Sequence, residues 1–211
     1  MKKQKKIGVL RYGIGNINSF TNTLDKLNIN YKIITNPSDL KKIDIIILIG
    51  VGSFNSCMKK LKEKGFIEPL KKIKQEKKYF LGICVGMQIL MSKGTENEIV
   101  KGLGFIKGKV IEMKIDKVHP LPHIGWNEIN EISKNFKLFD EIKLKSNFYF
   151  LHSYKVIPEE KGLSVAKASY GKNHIISAIK KGNIFGVQFH PEKSQDVGMK
   201  LISNFIKIAN A

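Results

Sequence analysis

Apolar residues fall along this chain first in continuous runs and later in strand-length segments separated by tight turns. In the first half, residues 6–12, 31–35, 44–49 and 79–83 are short runs rich in Ile, Val, Leu and aromatic side chains. The run at 44–49, DIIILI, has no polar residue after its first position, as expected of a central parallel strand buried on both faces. Between the runs lie segments that read as helices: one ending near residue 27, one at 57–63 and one at 68–75, where Pro69 suits a first helical turn. Strand and helix alternate, which predicts a parallel sheet with helices on both sides.

From Gly104 the rhythm changes. Residues 105–115, 147–156, 162–169, 174–180 and 184–189 are strand-like, and Gly171-Lys172-Asn173 and Lys181-Gly182-Asn183 are hairpin-sized turns between them. Antiparallel strands added to the parallel sheet are therefore expected. A closing helix over 195–209 presents Val197, Met199, Leu201, Ile202, Phe205 and Ile206 as its apolar face. No linker, repeat or low-complexity segment interrupts the pattern. The reading is an α/β fold in one domain over residues 1–211, a central and mostly parallel sheet flanked by helices, large enough to bury a core without staples.

Composition narrows the function classes. The formal net charge is +19, which invites a nucleic-acid reading. Arg11, however, is the only arginine among 37 basic residues, and proteins that read phosphates and base edges lean on arginine's planar fork. A solvated lysine-rich surface explains the charge better. The opening MKKQKK has the charge of a signal-peptide start, but the IGVLRYGIGN behind it is broken by Arg11 and three glycines. The longest apolar run, 45–51, falls far short of the roughly 20 residues a membrane span needs. Cys57 and Cys84 are too few for a disulfide framework or a cysteine-based zinc site. A soluble protein of a reducing cytoplasm is expected, with no metal or cofactor and no membrane partner.

The chemistry gathers at YFLGICVGMQ, residues 79–88. A short strand runs into a thiol bracketed by Gly82 and Gly86, in the pattern G-x-C-x-G-x-Q that ends at Gln88. A strand-to-helix turn of this kind pushes its central side chain into open space, and glycines remove the Cβ atoms that would clash there. A helix continuing through residue 91 would aim free N–H groups at the sulfur and favour thiolate. An isolated cysteine is ordinarily a small core residue; the spacing argues for a nucleophile. The earlier Gly13-Ile14-Gly15 is a weaker signal. A dinucleotide fingerprint would need a third glycine where Asn18 stands and an acid after the second strand, so a tight turn is the better reading.

A nucleophilic thiol needs a base, and the base an orienting group. Of five histidines, His119 and His123 are separated by prolines that forbid a shared helical face, His174 sits beside a turn, and His152 ends a strand where it could line a site. His190 follows a buried-looking strand and opens His190-Pro191-Glu192. Proline between them lets His190 and Glu192 project to one side, giving a Cys-His-Glu triad in chain order. For an oxyanion hole, the Val85 N–H just past the thiol is one donor, and the loop Gly50-Val51-Gly52 at the end of the neighbouring strand can supply the second.

These motifs together resemble the class I (triad) glutamine amidotransferases across essentially the whole chain. YGIGN, GVGSF, GICVGMQ, HIGWN, YFLHSY and GVQFHPEKS resemble, within that family, the glutaminase subunits of imidazole glycerol phosphate synthases. The resemblance implies that Cys84 attacks the side-chain amide of glutamine, His190 carries the proton to the leaving ammonia and Glu192 orients His190. It implies glutamine binding by Gly52, Gln88, Ser153 and Tyr154, and an oxyanion region at Val51, Gly52 and Val85. Asn16, Trp126 and Lys193 would lie near a partner interface or ammonia gate, although Trp126 could equally be core packing. The implied partner is a (β/α)₈-barrel synthase subunit in a heterodimer, fed with ammonia for histidine biosynthesis. Because the glutaminase accounts for all 211 residues, the acceptor is expected on another polypeptide.

Two residues depart from the pattern. Arg11 stands where this subfamily usually has aspartate, and Ile49 where the oxyanion loop usually begins with proline. These changes bear on which partner is bound and how tightly the loop is coupled to it. A paralogue feeding ammonia to another synthase, such as one amidating a sugar, would look much the same. A related cysteine hydrolase is a further alternative, against which Gln88 and the His-Pro-Glu sequence argue.

Overall fold

The computed structural model describes residues 5–211, so residues 1–4, most of the basic MKKQKK stretch and the start of the expected domain, lie outside the described residues. The first half alternates as expected: β1 (Ile7–Leu10), α1 (Ile17–Lys26), β2 (Lys32–Ile34), β3 (Ile45–Gly50), α2 (Phe54–Glu63), α3 (Ile67–Gln75), β4 (Tyr79–Cys84) and the single turn α4 (Val85–Gln88). Every residue of β3 is buried, in keeping with its unbroken apolar run. Asn16 and Ser53 cap α1 and α2, each side chain accepting the backbone N–H three residues on. In α2, Phe54, Cys57, Met58 and Leu61 form the buried stripe, and the lysines between them face outward.

The second half is β-rich: β5 (Lys93–Gly94), β6 (Val100–Lys101), β7 (Gly108–Glu112), β8 (His123–Glu128), β9 (Glu131–Ile132), β10 (Asn147–His152), β11 (Tyr154–Pro158), β12 (Ser164–Tyr170), β13 (Asn173–Lys181) and β14 (Ile184–Val187), closed by α5 (Gln195–Asn210). The main sheet has the order β2-β1-β3-β4-β14-β13-β12-β9. Its β2-β1-β3-β4-β14 portion is parallel, and β13, β12 and β9 continue it antiparallel. The added antiparallel strands of the sequence reading are therefore present. One contiguous core joins residues of β1 to residues of α5.

The β-rich half differs from the reading in its strands, the short β5, β6 and β9 being additional to those expected. The expected strand over 147–156 is two strands broken at Ser153: β10 pairs with β8, and β11 joins β7, β5 and β6 in a separate four-stranded sheet. Strand β8 itself was not foreseen, because its sequence HIGWNE alternates only weakly and its pairing with β10 is what orders it.

The topology positions the site. Strands β3, β4 and β14 are adjacent and parallel, with Gly50 opposite Cys84 and Ile83 opposite Val187. Their carboxyl ends deliver three loops from distant parts of the chain to one edge, where ligands bind in sheets of this kind. The crossing there leaves no room for side chains: a Cβ on Gly86 would lie 1.9 Å from the Leu48 carbonyl oxygen, and one on Gly82 would lie 2.5 Å from that of Gly86. Gly86→Ala is therefore expected to destabilise the protein by about 3 kcal/mol or more, because backbone rather than a side-chain tip must move. Chemical denaturation checks this; a midpoint equal to that of the parent protein would contradict it.

Candidate active site

Cys84 ends β4 with φ +54° and ψ −115°, a backbone conformation that side chains rarely adopt and that costs on the order of 1–3 kcal/mol. That geometry turns the thiol out of the strand. The helix beyond it is shorter than the sequence implies: α4 stops at Gln88, and the carbonyls of Ile89, Leu90 and Met91 accept N–H groups from residues 103–106 instead. A returning segment has captured the acceptors that further helical turns would have used. A single turn carries little macrodipole, so the electrostatic help for the sulfur has to come from side chains.

His190 supplies it. Its backbone N–H donates to the Tyr149 carbonyl at 2.8 Å, and Ser194 ties the same turn to β10 by accepting from the Tyr149 N–H and donating to the His190 carbonyl. The ring Nδ1 is 2.8 Å from Glu192 Oε1, with the two side chains 3% and 1% exposed. Burial opposes charge on this imidazole, but the attraction of the Cys84 sulfur and the Glu192 carboxylate outweighs it and lifts the pKa to about 10. His190 is thus an imidazolium at neutral pH. Its Nε2 has no aligned hydrogen bond among the described residues, and the ring lines the cavity that Cys84 also lines. The pull of the sulfur acts across that space, a contact that in such sites is often loose until substrate is bound.

Val51, Gly52, Val85, Gln88, Ser153 and Tyr154 line the same cavity. Val85 opens α4, so its N–H has no partner within that helix. The Val51 carbonyl faces the buried Cys57 thiol at 3.7 Å, and the Tyr12 hydroxyl, which donates to the Ile49 carbonyl at 2.9 Å, lies 3.5 Å from the same sulfur. Burial pushes the Cys57 thiol up to about 11, so this second cysteine stays neutral behind the loop. Arg11, one of the two departures from the family pattern, is exposed just past β1, whereas Ile49, the other, is fully buried.

Three neighbours of the thiol or its cavity lie outside the expected set: Leu151, whose carbonyl is 3.6 Å from the Cys84 sulfur, Gln188 and Glu96. Gln188 Nε2 donates toward the Cys84 sulfur at 3.8 Å, and its Oε1 accepts from Gln88 at 3.0 Å. Its position two residues before His190, in GVQFHPE, carried a signal of same-side placement. Glu96 lines the cavity from the β5–β6 loop and accepts the Phe54 N–H at 2.8 Å; nothing local in the sequence marks it. Of the other histidines, His152 lines the cavity, His123 is buried behind it, His119 pairs with Asp116, and His174 is exposed. Among the described residues, no group of three or more His, Cys, Asp and Glu could hold a metal ion.

The three residues expected near a partner are not in the cavity. Asn16 is the exposed cap of α1, Trp126 is 48% exposed on β8, and the Lys193 ammonium sits 5.3 Å above the Tyr149 ring. Exposure removes the core-packing reading of Trp126. The elements carrying them adjoin, since the turn after His190 packs against both α1 and β10, and β10 pairs with β8.

Comparison with known proteins agrees with this geometry. The family model for glutamine amidotransferase class-I matches residues 9–209. A relative from Campylobacter jejuni strain RM1221, named imidazole glycerol phosphate synthase subunit HisH 1, is 45% identical over 203 residues, covering 96% of this chain and all of the relative. One from Methanococcus maripaludis, named imidazole glycerol phosphate synthase subunit HisH 2, is 46% identical over 204 residues with the same coverage. Among solved structures, a glutamine amidotransferase superposes with TM-score 0.76 at 19% identity over 97% of this chain and 99% of that one. PurLQS from Thermotoga maritima gives 0.73 at 17% over 98% and 99%. At these identities the two structures speak for the fold.

Proposed function

The chain belongs to the class-I glutamine amidotransferases, and from that premise we propose that it is the glutaminase subunit of an imidazole glycerol phosphate synthase. It hydrolyses glutamine to glutamate and ammonia, and the ammonia serves a (β/α)₈-barrel synthase subunit in histidine biosynthesis. The observation that carries the reading is the strained Cys84 elbow sharing one cavity with an imidazolium that a buried carboxylate holds. Relatives 45% and 46% identical over nearly the whole length supply the subfamily.

In the proposed reaction the thiol proton of Cys84 is the one carried on His190, so the sulfur adds as thiolate to the carboxamide carbon of glutamine. The oxyanion that forms is met by the Val85 N–H and by the loop at Val51 and Gly52, each such donor being worth roughly 100- to 1,000-fold in rate. His190 then gives its Nε2 proton to the nitrogen, the C–N bond breaks, and ammonia leaves a γ-glutamyl thioester. Water, deprotonated by His190, adds to the thioester; the C–S bond breaks and glutamate departs. Glu192 holds the ring throughout. Gln88, Ser153 and Tyr154 bind the substrate, and Glu96 offers negative charge to its ammonium group.

Ammonia is mostly ammonium near neutral pH and would be lost to solvent, so its release calls for a docked acceptor. The exposed apolar side chains Ile124, Trp126 and Leu151, on paired strands β8 and β10 beside the cavity, suit such docking. Lys193 lies over the Tyr149 ring, which contacts Trp126, and the turn that carries Lys193 packs against α1, the helix that Asn16 caps. Among the described residues no helix is long and apolar enough to cross a membrane. A cytoplasmic heterodimer, with residues 1–211 as one amidotransferase domain, completes the proposal.

The test is to purify the chain with and without its barrel subunit and follow glutamate release and nucleotide turnover. Hydrolysis by the chain alone should be slow and should rise at least about tenfold in the complex. Glutamine should then support conversion of the phosphoribosyl-formimino nucleotide to imidazole glycerol phosphate. Hydrolysis without any glutamine-dependent nucleotide turnover would instead favour a subunit feeding another synthase, a reading to which the exposed Arg11 lends its one observation.

A further inference from the structure

We propose that His123 and His152 are positioning residues that hold the turn at Ser153 and Tyr154 for glutamine and connect it to the exposed face of β8. The inference rests on the glutaminase reading and concerns how its substrate turn is held. Along β8 the side chains alternate. Ile124 and Trp126 are 58% and 48% exposed, whereas His123 is only 2% exposed. One strand thus presents its outer face to a partner and its inner face to the back of the site.

Behind that face runs a single line of hydrogen bonds. The Asn127 amide Nδ2 is 3.3 Å from His123 Nε2 and also donates to the Ser169 carbonyl at 2.9 Å. His123 Nδ1 is 3.2 Å from His152 Nε2, and His152 Nδ1 is 2.8 Å from the Tyr154 carbonyl. An amide nitrogen can only donate and a carbonyl can only accept, so both ends of the line are fixed. His123 must therefore carry its proton on Nδ1 and donate to His152, which carries its own on Nδ1 and donates to Tyr154. This assignment requires both rings to be neutral. Burial provides that, holding His123 at about 4 and His152 at about 3.

The line is also stiff. The His123 ring is stacked between Phe150, at 4.9 Å and 21°, and Tyr170, at 4.1 Å and 23°, which leaves it no room to turn. At the far end the Tyr154 carbonyl accepts from Gln88 Nε2 at 3.2 Å as well as from His152. The turn is thus clamped between the elbow helix and the histidine pair, and Gln88, His152, Ser153 and Tyr154 all line the cavity. A shift of β8 on docking would pass through His123 and His152 to the turn that holds glutamine.

His123→Phe keeps an aromatic ring in the slot, removes the donor and strands His152 Nε2. In complex with the barrel subunit, the glutamine KM of this variant should rise roughly tenfold while kcat stays within about twofold, because Cys84 and His190 are untouched. His123→Asn, which can present an N–H near the position of Nδ1, should recover most of the loss. Asn127→Leu, outside the aromatic slot, should raise KM about threefold and serves if His123→Phe fails to fold. Wild-type KM in His123→Phe or, where that variant does not fold, in Asn127→Leu would overturn the proposal. A raised KM that His123→Asn leaves unrecovered would also do so, assigning the effect to ring packing. The parent complex and Cys84→Ala are run alongside: absence of glutamine hydrolysis in the parent complex would defeat the glutaminase reading itself, a result distinct from failure of the histidine line.

Discussion

Cys84→Ala should lose glutamine hydrolysis by roughly ten-thousandfold or more while the folded protein still docks to its synthase subunit. Removing the nucleophile from a triad costs nearly as much as removing the whole triad, because the base and the orienting acid have nothing left to act on. Neither Cys57, buried behind the loop and held protonated, nor any cavity-lining residue offers a replacement thiol. Assay of glutamate release, with circular dichroism and co-purification of the partner as controls, checks the expectation. Turnover within tenfold of the parent would move the chemistry elsewhere. The same position makes a second, opposite prediction for stability. At φ +54° and ψ −115° a side chain is strained, so Cys84→Gly should raise the unfolding free energy by about 1 kcal/mol while abolishing activity. The strain is the cost of turning the thiol out of the strand.

Glu192→Gln carries the next largest effect. The carboxylate accepts from His190 Nδ1 at 2.8 Å in a nearly dry setting, 1% exposed on its own side chain. Glutamine at this position loses the charge and can present an N–H to the ring, favouring the wrong tautomer, and comparable changes in triads cost on the order of a thousand- to ten-thousandfold in kcat. The pH profile should change as well. His190 is lifted to about 10, so its charged form is favoured by the folded protein. The stability this contributes is fully present below the ordinary histidine pKa of about 6.5 and is lost as pH rises through about 10. The leaving ammonia needs a proton from the same imidazolium, so kcat/KM of the parent should hold through neutral pH and fall as pH approaches about 10. In Glu192→Gln the alkaline limb should move to lower pH and the dependence of stability between about 6.5 and 10 should flatten. An unchanged limb would show that Glu192 does not set the charge of His190.

How much of this was legible depended on whether the cause was local. The elbow could be read because Gly82, Cys84, Gly86 and Gln88 lie within seven residues and the glycines mark where backbone meets backbone. His190 and Glu192 could be read because proline fixes the chain between them. The length of the helix after the elbow could not: Ile89, Leu90 and Met91 suit a helix well, and only the returning segment at 103–106 takes their carbonyls. Glu96 was invisible for the same reason, since its loop reaches the cavity through the small sheet of β5, β6, β7 and β11.

By itself the sequence singled out Cys84, His190 and Glu192 as the candidate reactive groups and determined the parallel core that carries them, because side-chain chemistry, glycine spacing and unbroken apolar runs are properties of short stretches. Only the tertiary structure decided that β14 enters beside β4, that Ser153 breaks one strand into two, and that His123, His152 and Tyr154 fall into line. Those outcomes depend on pairing and stacking between residues tens of positions apart or more, whose free energy exists only once the chain has closed on itself.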